Sequence, residues 1–221
     1  RVRRTLARSV LPYANGIRVV SKRIADSITA TYGERVPIPV VIPVAVSAVV
    51  PPSVPLPSHD FSFALMCVSR LESEKRIEDI LMAVGKLHLS YPSLGLFVVG
   101  KGSEERRLKK LAERLGLSHR VIFLGERSDA QGLMQSAQAF IQASAYEGYG
   151  RTLIEAALAR LAIITTDVGI VGEVFSGYND VLSAPVADPS ALVVHIRGLI
   201  EDHAARLALA INAQVKAQEH L

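Results

Sequence analysis

Short apolar runs, separated by helix-like repeats, organise the chain from residue 63 onward. The runs are FALMCV (63–68), LFVV (96–99), VIFL (121–124), AFIQ (139–142), AIITT (162–166) and VLSA (181–184). They are continuous rather than alternating, which is how strands covered on both faces read. Between them, Ile77, Ile80, Leu81, Val84 and Leu87 recur at i, i+3, i+4 spacing, as do Leu108, Leu111, Ala112 and Leu115. Leu192, Ile196, Leu199 and Ile200 repeat the pattern near the end. That spacing predicts amphipathic helices, and Gly116 falls where a glycine closes one. Repeated strand–helix alternation predicts an α/β fold, a Rossmann-like parallel sheet with helices on both faces and right-handed crossovers. In such open sheets ligands bind beyond the carboxyl ends of the strands. The loops after residues 68, 99, 124, 142 and 166 are therefore the places to search.

The first 60 residues differ. GIRVVSKRIADSITATYG predicts one strand and one helix. VPIPVVIPVAVSAVVPPSVPLP (36–57) is rich in Pro and Val, and its prolines forbid a central strand over most of its length. A short strand near Val40–Ile42 and then a stiff, extended segment are expected. One strand and one helix cannot enclose a core. Residues 1–45 are therefore expected to be the remnant of a preceding domain, 46–60 a Pro-rich linker, and 61–221 the main domain. The chain opens on Arg rather than Met, in keeping with a fragment or a processed product. No solenoid-type repeat is present.

Composition narrows the function classes. With 221 residues, 49% of them hydrophobic, a real core is within reach and wholesale disorder is excluded. The formal charge of +4 and pI near 9.3 suit an anionic ligand. No basic stripe with interleaved aromatics, zinc-finger spacing or RNP-like run is present, so nucleic acid is not expected as a partner. The single cysteine, Cys67, lies inside an apolar run, which predicts a buried thiol and a reducing, cytoplasmic setting. The six histidines are scattered, and no metal site is expected. No apolar stretch reaches the roughly 20 residues of a membrane span, and RVRRTLARSVLPYANG lacks the apolar stretch of a signal peptide.

Three loops carry candidate chemistry. In SRLESEKR (69–76), Arg70 and Lys75 flank the start of a helix expected over 75–88, where free N–H groups and two cations would favour an anion. The bland alternative is a helix capped by Ser73, with both cations merely solvated. In GKGSEERR, Gly100 and Gly102 allow a tight turn or the close approach of a ligand; Ser103 with Glu105 equally suits an ordinary helix start. SAYEGYGRTLIEAALA (144–159) places Glu147 and Glu155 eight positions apart, on either side of Gly148, Tyr149 and Gly150. Acids near a helix start are stabilised by its dipole. That alone explains neither the double glycine nor a carboxylate at a strand's carboxyl end. Two separate carboxylates suit a polyhydroxy ligand, since each accepts several hydroxyl hydrogen bonds. Cations, a helix start and hydroxyl acceptors in one crevice fit a ligand carrying both phosphate and sugar.

SRLESEK, GKGSEERRLKKLAERLGLSHRVIFLGE and SAYEGYGRTLIEAALA, in this order and spacing, resemble the carboxy-terminal domain of GT-B glycosyltransferases, specifically the retaining enzymes of glycosyltransferase family four. The resemblance covers residues 61 to about 200, and residues 1–45 are similar to the last strand and helix of that family's acceptor domain. It implies that Arg70 and Lys75 contact the donor diphosphate, that Glu147 faces the donor sugar and that Glu155 binds the ribose. Gly148, Tyr149 and Gly150 then form the turn that carries backbone amides towards the donor, beside the helix start at Arg151 and Thr152. Gly100 and Gly102 match the loop near the nucleotide, and Glu126–Arg127 the region beside the base. The implied donor is a nucleotide-diphosphate sugar, UDP- or GDP-linked, with no cofactor. No D-x-D motif is present, so metal independence is expected. The acceptor, a glycan or a lipid-linked one, would sit on the absent amino-terminal domain, leaving this chain a donor binder that is poorly active alone. The basic segment RVRRTLARS adds an expected peripheral contact with the inner face of a membrane.

Departures from the family pattern are Lys101 where an acid is common, VIPVAVS without the usual Asn-Gly, and four positions in EAALARLAIITTDVGIVGE (155–173). Arg160 stands for a usual glycine, Ala162 for proline, Ile170 for glycine and Gly172 for proline. Ile170 is expected to narrow the sugar pocket, and Arg160 to take a structural role. A sugar-nucleotide epimerase of the same architecture and a non-catalytic nucleotide-sugar-binding module are the alternatives to a transferase.

Overall fold

A computed structural model describes residues 2–221, with side chains from residue 6 onward. The basic opening segment belongs to α1 (Val2–Val10); Arg1 lies outside the described residues, and the expected membrane contact falls partly there. β1 (Arg18–Val19) pairs in parallel with β2 (Val40–Val41), and α2 (Lys22–Tyr32) lies between them in sequence. Ile17, Val19, Ala25 and Val36 form a small core for this segment.

The main sheet has six parallel strands: β3 (Phe63–Val68), β4 (Leu94–Val99), β5 (Val121–Gly125), β6 (Ala139–Ile141), β7 (Ala162–Thr166) and β8 (Leu182–Ala184). Their order across the sheet is β5-β4-β3-β6-β7-β8. The helices are α3 (Ile77–Leu87), α4 (Glu105–Arg114), α5 (Ala130–Met134), α6 (Arg151–Leu158), α7 (Pro189–Glu201) and α8 (His203–His220). Strand alternation sorts them onto two faces. Phe63, Leu65 and Cys67 pack with Ile80, Leu108 and Ile196 of α3, α4 and α7. Ala64 and Met66 pack on the other face with Leu133, Leu153 and Ala213 of α5, α6 and α8. Every residue of β3 up to Cys67 is buried, which is why the run reads as continuously apolar. Burial pushes the Cys67 thiol up to about 12, so it stays protonated and unreactive near neutrality. The chain winds outward from β3 through β4 to β5, then returns to the other side of β3 as β6. Between β3 and β6, therefore, is the topological switch, where open sheets leave a crevice.

Some local expectations are corrected. The helix after β3 begins at Ile77, not 75: Ser73–Lys75 form a 3-10 turn, Ser73 makes no capping bond, and Arg76 takes the left-handed conformation at φ 48°. Two hydrogen bonds from Arg76 to the buried Asp79 close this turn. Ser103 does not start α4 either, because its hydroxyl is committed to Glu72. Gly116 does close α4: its amide bonds Glu113 O, and the Leu117 amide bonds Ala112 O. Residues 46–60 have no regular structure but are bound along their length. Val46, Val50, Val54 and Leu56 pack on the second core, Val54 N donates to Gly132 O, and Gln135 donates to Pro51 O at 2.6 Å. No described helix is long and apolar enough to cross a membrane.

Candidate functional site

The site is built from the loops at the switch point. After β3, the 3-10 turn carries Lys75 inward. After β6, the chain runs through Ser144 to Glu147. Lys75 Nζ meets Glu147 Oε1 at 2.6 Å, with both side chains largely buried (11% and 14% exposed). Ser144, with no solvent exposure, donates to the same Oε1 at 2.8 Å, and its own carbonyl accepts from Thr166 Oγ1 at 2.6 Å. Both donors take Oε1; Oε2 receives no protein donor among the described residues and is left to accept from a ligand. The Ala145 amide donates to Glu74 O, which ties the two loops together directly.

Arg70, Glu72, Glu74, Lys75, Tyr146, Glu147 and Gly148 line an open cavity of about 470 Å³. Arg70 pairs with Glu74 at 3.1 Å and is mostly exposed. Each of the two cations is thus held by a carboxylate. A phosphate entering the cavity would exchange with these carboxylates rather than meet bare charges. Glu72 accepts from Ser103 N at 3.1 Å and Ser103 Oγ at 2.7 Å, bonds that hold its carboxyl below the ordinary range. This clip fastens the loop after β4 to the loop after β3.

Not every expected residue enters this cavity. Gly100 and Gly102 do not line it and lie against the backbone of the loop after β3. A Cβ on Gly100 would stand 1.9 Å from Ser69 O, and one on Gly102 2.2 Å from Leu71 O. Glu126 and Arg127 sit on the neighbouring loop after β5, where Glu126 faces Lys101 at 3.4 Å and Arg127 binds Asp129. Tyr149 turns its ring away, into the second core, and its hydroxyl meets His220 Nε2 of α8 at 2.6 Å. Burial first, then the nearby Glu173, raises its pKa. Only the backbone of Tyr149 is therefore presented to the crevice. Gly150 precedes α6 at φ 103°. Thr152 donates to Gln142 at 3.1 Å, and Glu155, one turn into α6, is held by Arg151 at 2.7 Å. The amides of residues 148–152 donate to no protein acceptor among the described residues.

Ser144, Glu72 and Ser103 were not foreseen. A serine three residues before Glu147 was a signal for the first; nothing in spacing pairs residue 72 with residue 103. Of the departures, Arg160 occupies the left-handed position (φ 61°) after α6, its Nε bonding Gln214 at 3.0 Å. Ile170 has no solvent exposure and belongs to the second core, so the expectation that it narrows the pocket is corrected. Among the described residues, no group of three or more His, Cys, Asp or Glu could hold a metal ion.

A family model for glycosyl transferases group 1 matches residues 57–216. Glycogen synthase of Mycobacterium tuberculosis is 31% identical over 144 residues, covering 64% of this chain and 34% of that protein. Sucrose-phosphate synthase of Thermosynechococcus elongatus superposes with a TM-score of 0.85 at 23% identity, covering 99% of this chain and 57% of that one. Anabaena HepE in complex with UDP-glucose gives 0.85 at 23% identity, covering 98% and 62%. The chain thus spans about a third of the length of the first relative and less than two thirds of either structure.

Proposed function

The chain belongs to the glycosyl transferases group 1 family, and its fold is the Rossmann-like carboxy-terminal domain of a GT-B glycosyltransferase. On that premise we propose that the crevice at the switch point binds a nucleotide-diphosphate sugar, for transfer of the sugar with retention of configuration. The meeting of Lys75 and Glu147, held by the buried Ser144, carries this reading. In this reading the cation serves the diphosphate, and the carboxylate oxygen without a protein donor serves a sugar hydroxyl.

The chemistry follows from charge. Breaking the bond between the anomeric carbon and the diphosphate leaves negative charge on the leaving phosphate. Lys75 and Arg70, released from Glu147 and Glu74, together with the Arg151 and Thr152 amides at the start of α6, stabilise it as it grows, without a metal. Glu147 accepts from the donor sugar, and Glu155 from the ribose. HepE was solved with UDP-glucose, which supports a uridine donor as the first to test. The chain spans only part of the length of its relatives, and we expect it by itself to bind donor and to transfer poorly.

Calorimetric titration with UDP, GDP and ADP and their sugar conjugates tests the reading. One nucleotide is expected to bind, and Lys75→Ala and Glu155→Ala proteins that remain folded are expected to bind it about tenfold or more weakly, about 1.4 kcal/mol. No binding to any of them, or binding indifferent to both substitutions, would sink the donor-site reading.

A further inference from the structure

Three consecutive residues at the start of α2 grip the loops that surround the crevice. The Ser21 hydroxyl, with no solvent exposure, donates to the Gly148 carbonyl at 2.9 Å across 127 residues of sequence. The Lys22 amide donates to Glu173 Oε2 at 2.8 Å. Arg23 donates to the Asp167 carbonyl at 3.1 Å, the Asp167 carboxylate at 2.5 Å and the Val171 carbonyl at 2.6 Å. One helix start therefore pins the loops after both β6 and β7.

The turn at 148–150 needs such a tether. Two glycines make its peptide planes cheap to rotate, and a Cβ on Gly148 would meet only Ile24 and Val20 side-chain atoms at 3.8 Å, so packing does not lock it. A trans peptide is planar, with its C=O and the following N–H pointing opposite ways, and the described chain has no cis peptide bond. Fixing the Gly148 carbonyl towards Ser21 therefore aims the Tyr149 amide away from it. The Tyr149 carbonyl is fixed in turn by the Ile170 amide at 2.8 Å. Two successive carbonyls are thus anchored, and the Tyr149 amide between them has no protein acceptor among the described residues.

We infer that Ser21 is a positioning residue for the donor sugar: its hydroxyl sets the Gly148–Tyr149 peptide so that the Tyr149 amide, two residues after Glu147, faces the sugar rather than the nucleotide. This rests on the donor-site reading above. It makes the segment before the main domain an integral part of the donor site.

The test compares nucleotide with conjugate. UDP, GDP and ADP and their glucose conjugates are titrated into the wild-type, Ser21→Ala and Ser21→Thr chains, and ligand-free hydrogen exchange is followed over residues 147–151. Ser21→Ala is expected to bind the nucleotide within twofold of wild type, to lose about tenfold in affinity for the conjugate, and to exchange faster over the turn. Ser21→Thr, which keeps the hydroxyl, is expected to recover most of the loss. Ser21→Cys, near-isosteric and a weak donor, takes the place of the alanine variant if that one unfolds. An unchanged conjugate-to-nucleotide ratio, an equal loss of both, or a wild-type chain that does not discriminate the two overturns the inference while leaving the donor site standing. A wild-type chain that binds none of the nucleotides overturns both.

Discussion

The loops after β4 and β6 both carry Gly-x-Gly, and the two pairs answer to different neighbours. Gly100 and Gly102 are demanded by the protein itself, whose Ser69 and Leu71 carbonyls occupy the space a side chain would need. Gly148 has ordinary van der Waals room, and the amides around it are unspent. One pair of glycines seats a loop, whereas the other leaves backbone available to a ligand. A motif quoted as letters does not separate these causes.

Substitution at the first pair is the strongest way to break the comparison. Gly102→Ala pushes a methyl into the Leu71 backbone, which cannot move without displacing Lys101 O and the Glu104 amide bonded to it. We expect a loss of about 3 kcal/mol or more, the upper end for overpacking. For a domain of this size that is a fall of roughly 6–12 °C in thermal midpoint. A fall of less than about 2 °C would mean that the loop has slack and that the glycine serves something else. Gly148→Ala is the counterpart. Its stability should stay within about 1 kcal/mol of wild type, since alanine reduces unfolded-state freedom, while its affinity for the conjugated donor falls about fivefold or more, about 1 kcal/mol. Destabilisation with unchanged donor affinity would erase the distinction between the two loops.

Arg160 sharpens the same contrast from the other side. It stands after α6 where Gly116 stands after α4. The Arg160 amide bonds Ala157 O and the Leu161 amide bonds Ala156 O, repeating the pattern at Gly116. The left-handed conformation costs a non-glycine residue about 1–2 kcal/mol, partly offset by the greater unfolded-state freedom of glycine. Arg160→Gly should therefore stabilise by about 0.5–1 kcal/mol, read as a thermal midpoint roughly 1–4 °C higher. Gln214→Ala removes only the exposed side-chain bond and should change little. If it costs as much as Arg160→Gly gains, the arginine is held for that bond rather than tolerated.

How much of this was legible follows the range of the interactions. All six strand runs, the sheet type and the helices at 77–87 and 189–201 come from local periodicity, and the buried faces enforce it. Lys75 and Glu147 were legible as separate candidates because each lies just after a strand. Their direct pairing depends on sheet order, which periodicity does not encode. The helix start at Ile77 was misplaced because Ser73 mimics a cap, while the turn is closed by Arg76 and Asp79. Ser21 and Gly148, Glu72 and Ser103, and the packing of residues 46–60 join segments far apart in sequence, and no spacing rule reaches them.

The Glu72–Ser103 clip gives the smallest effect, and it tests whether the loop after β4 is fastened by the protein alone. Two donors from Ser103 favour the ionised carboxylate, so the Glu72 pKa is lowered in the folded chain. The sign follows: the folded state binds this proton less readily than the unfolded one. The clip's contribution is therefore fully present above the unfolded value, about 4.3, and disappears as pH falls through the lower, folded value. The carboxylate is solvent-accessible, so the effect is screened and small. Thermal midpoints measured from pH 7 to pH 3 should show wild type slightly above Glu72→Gln at neutral pH, with the gap closing only below about pH 4. Added nucleotide should leave that gap as it is, because the clip lies between protein loops and needs no ligand. A gap that appeared only with nucleotide bound would place Glu72 among the groups that answer to the donor, and the loop after β4 would then resemble the loop after β6.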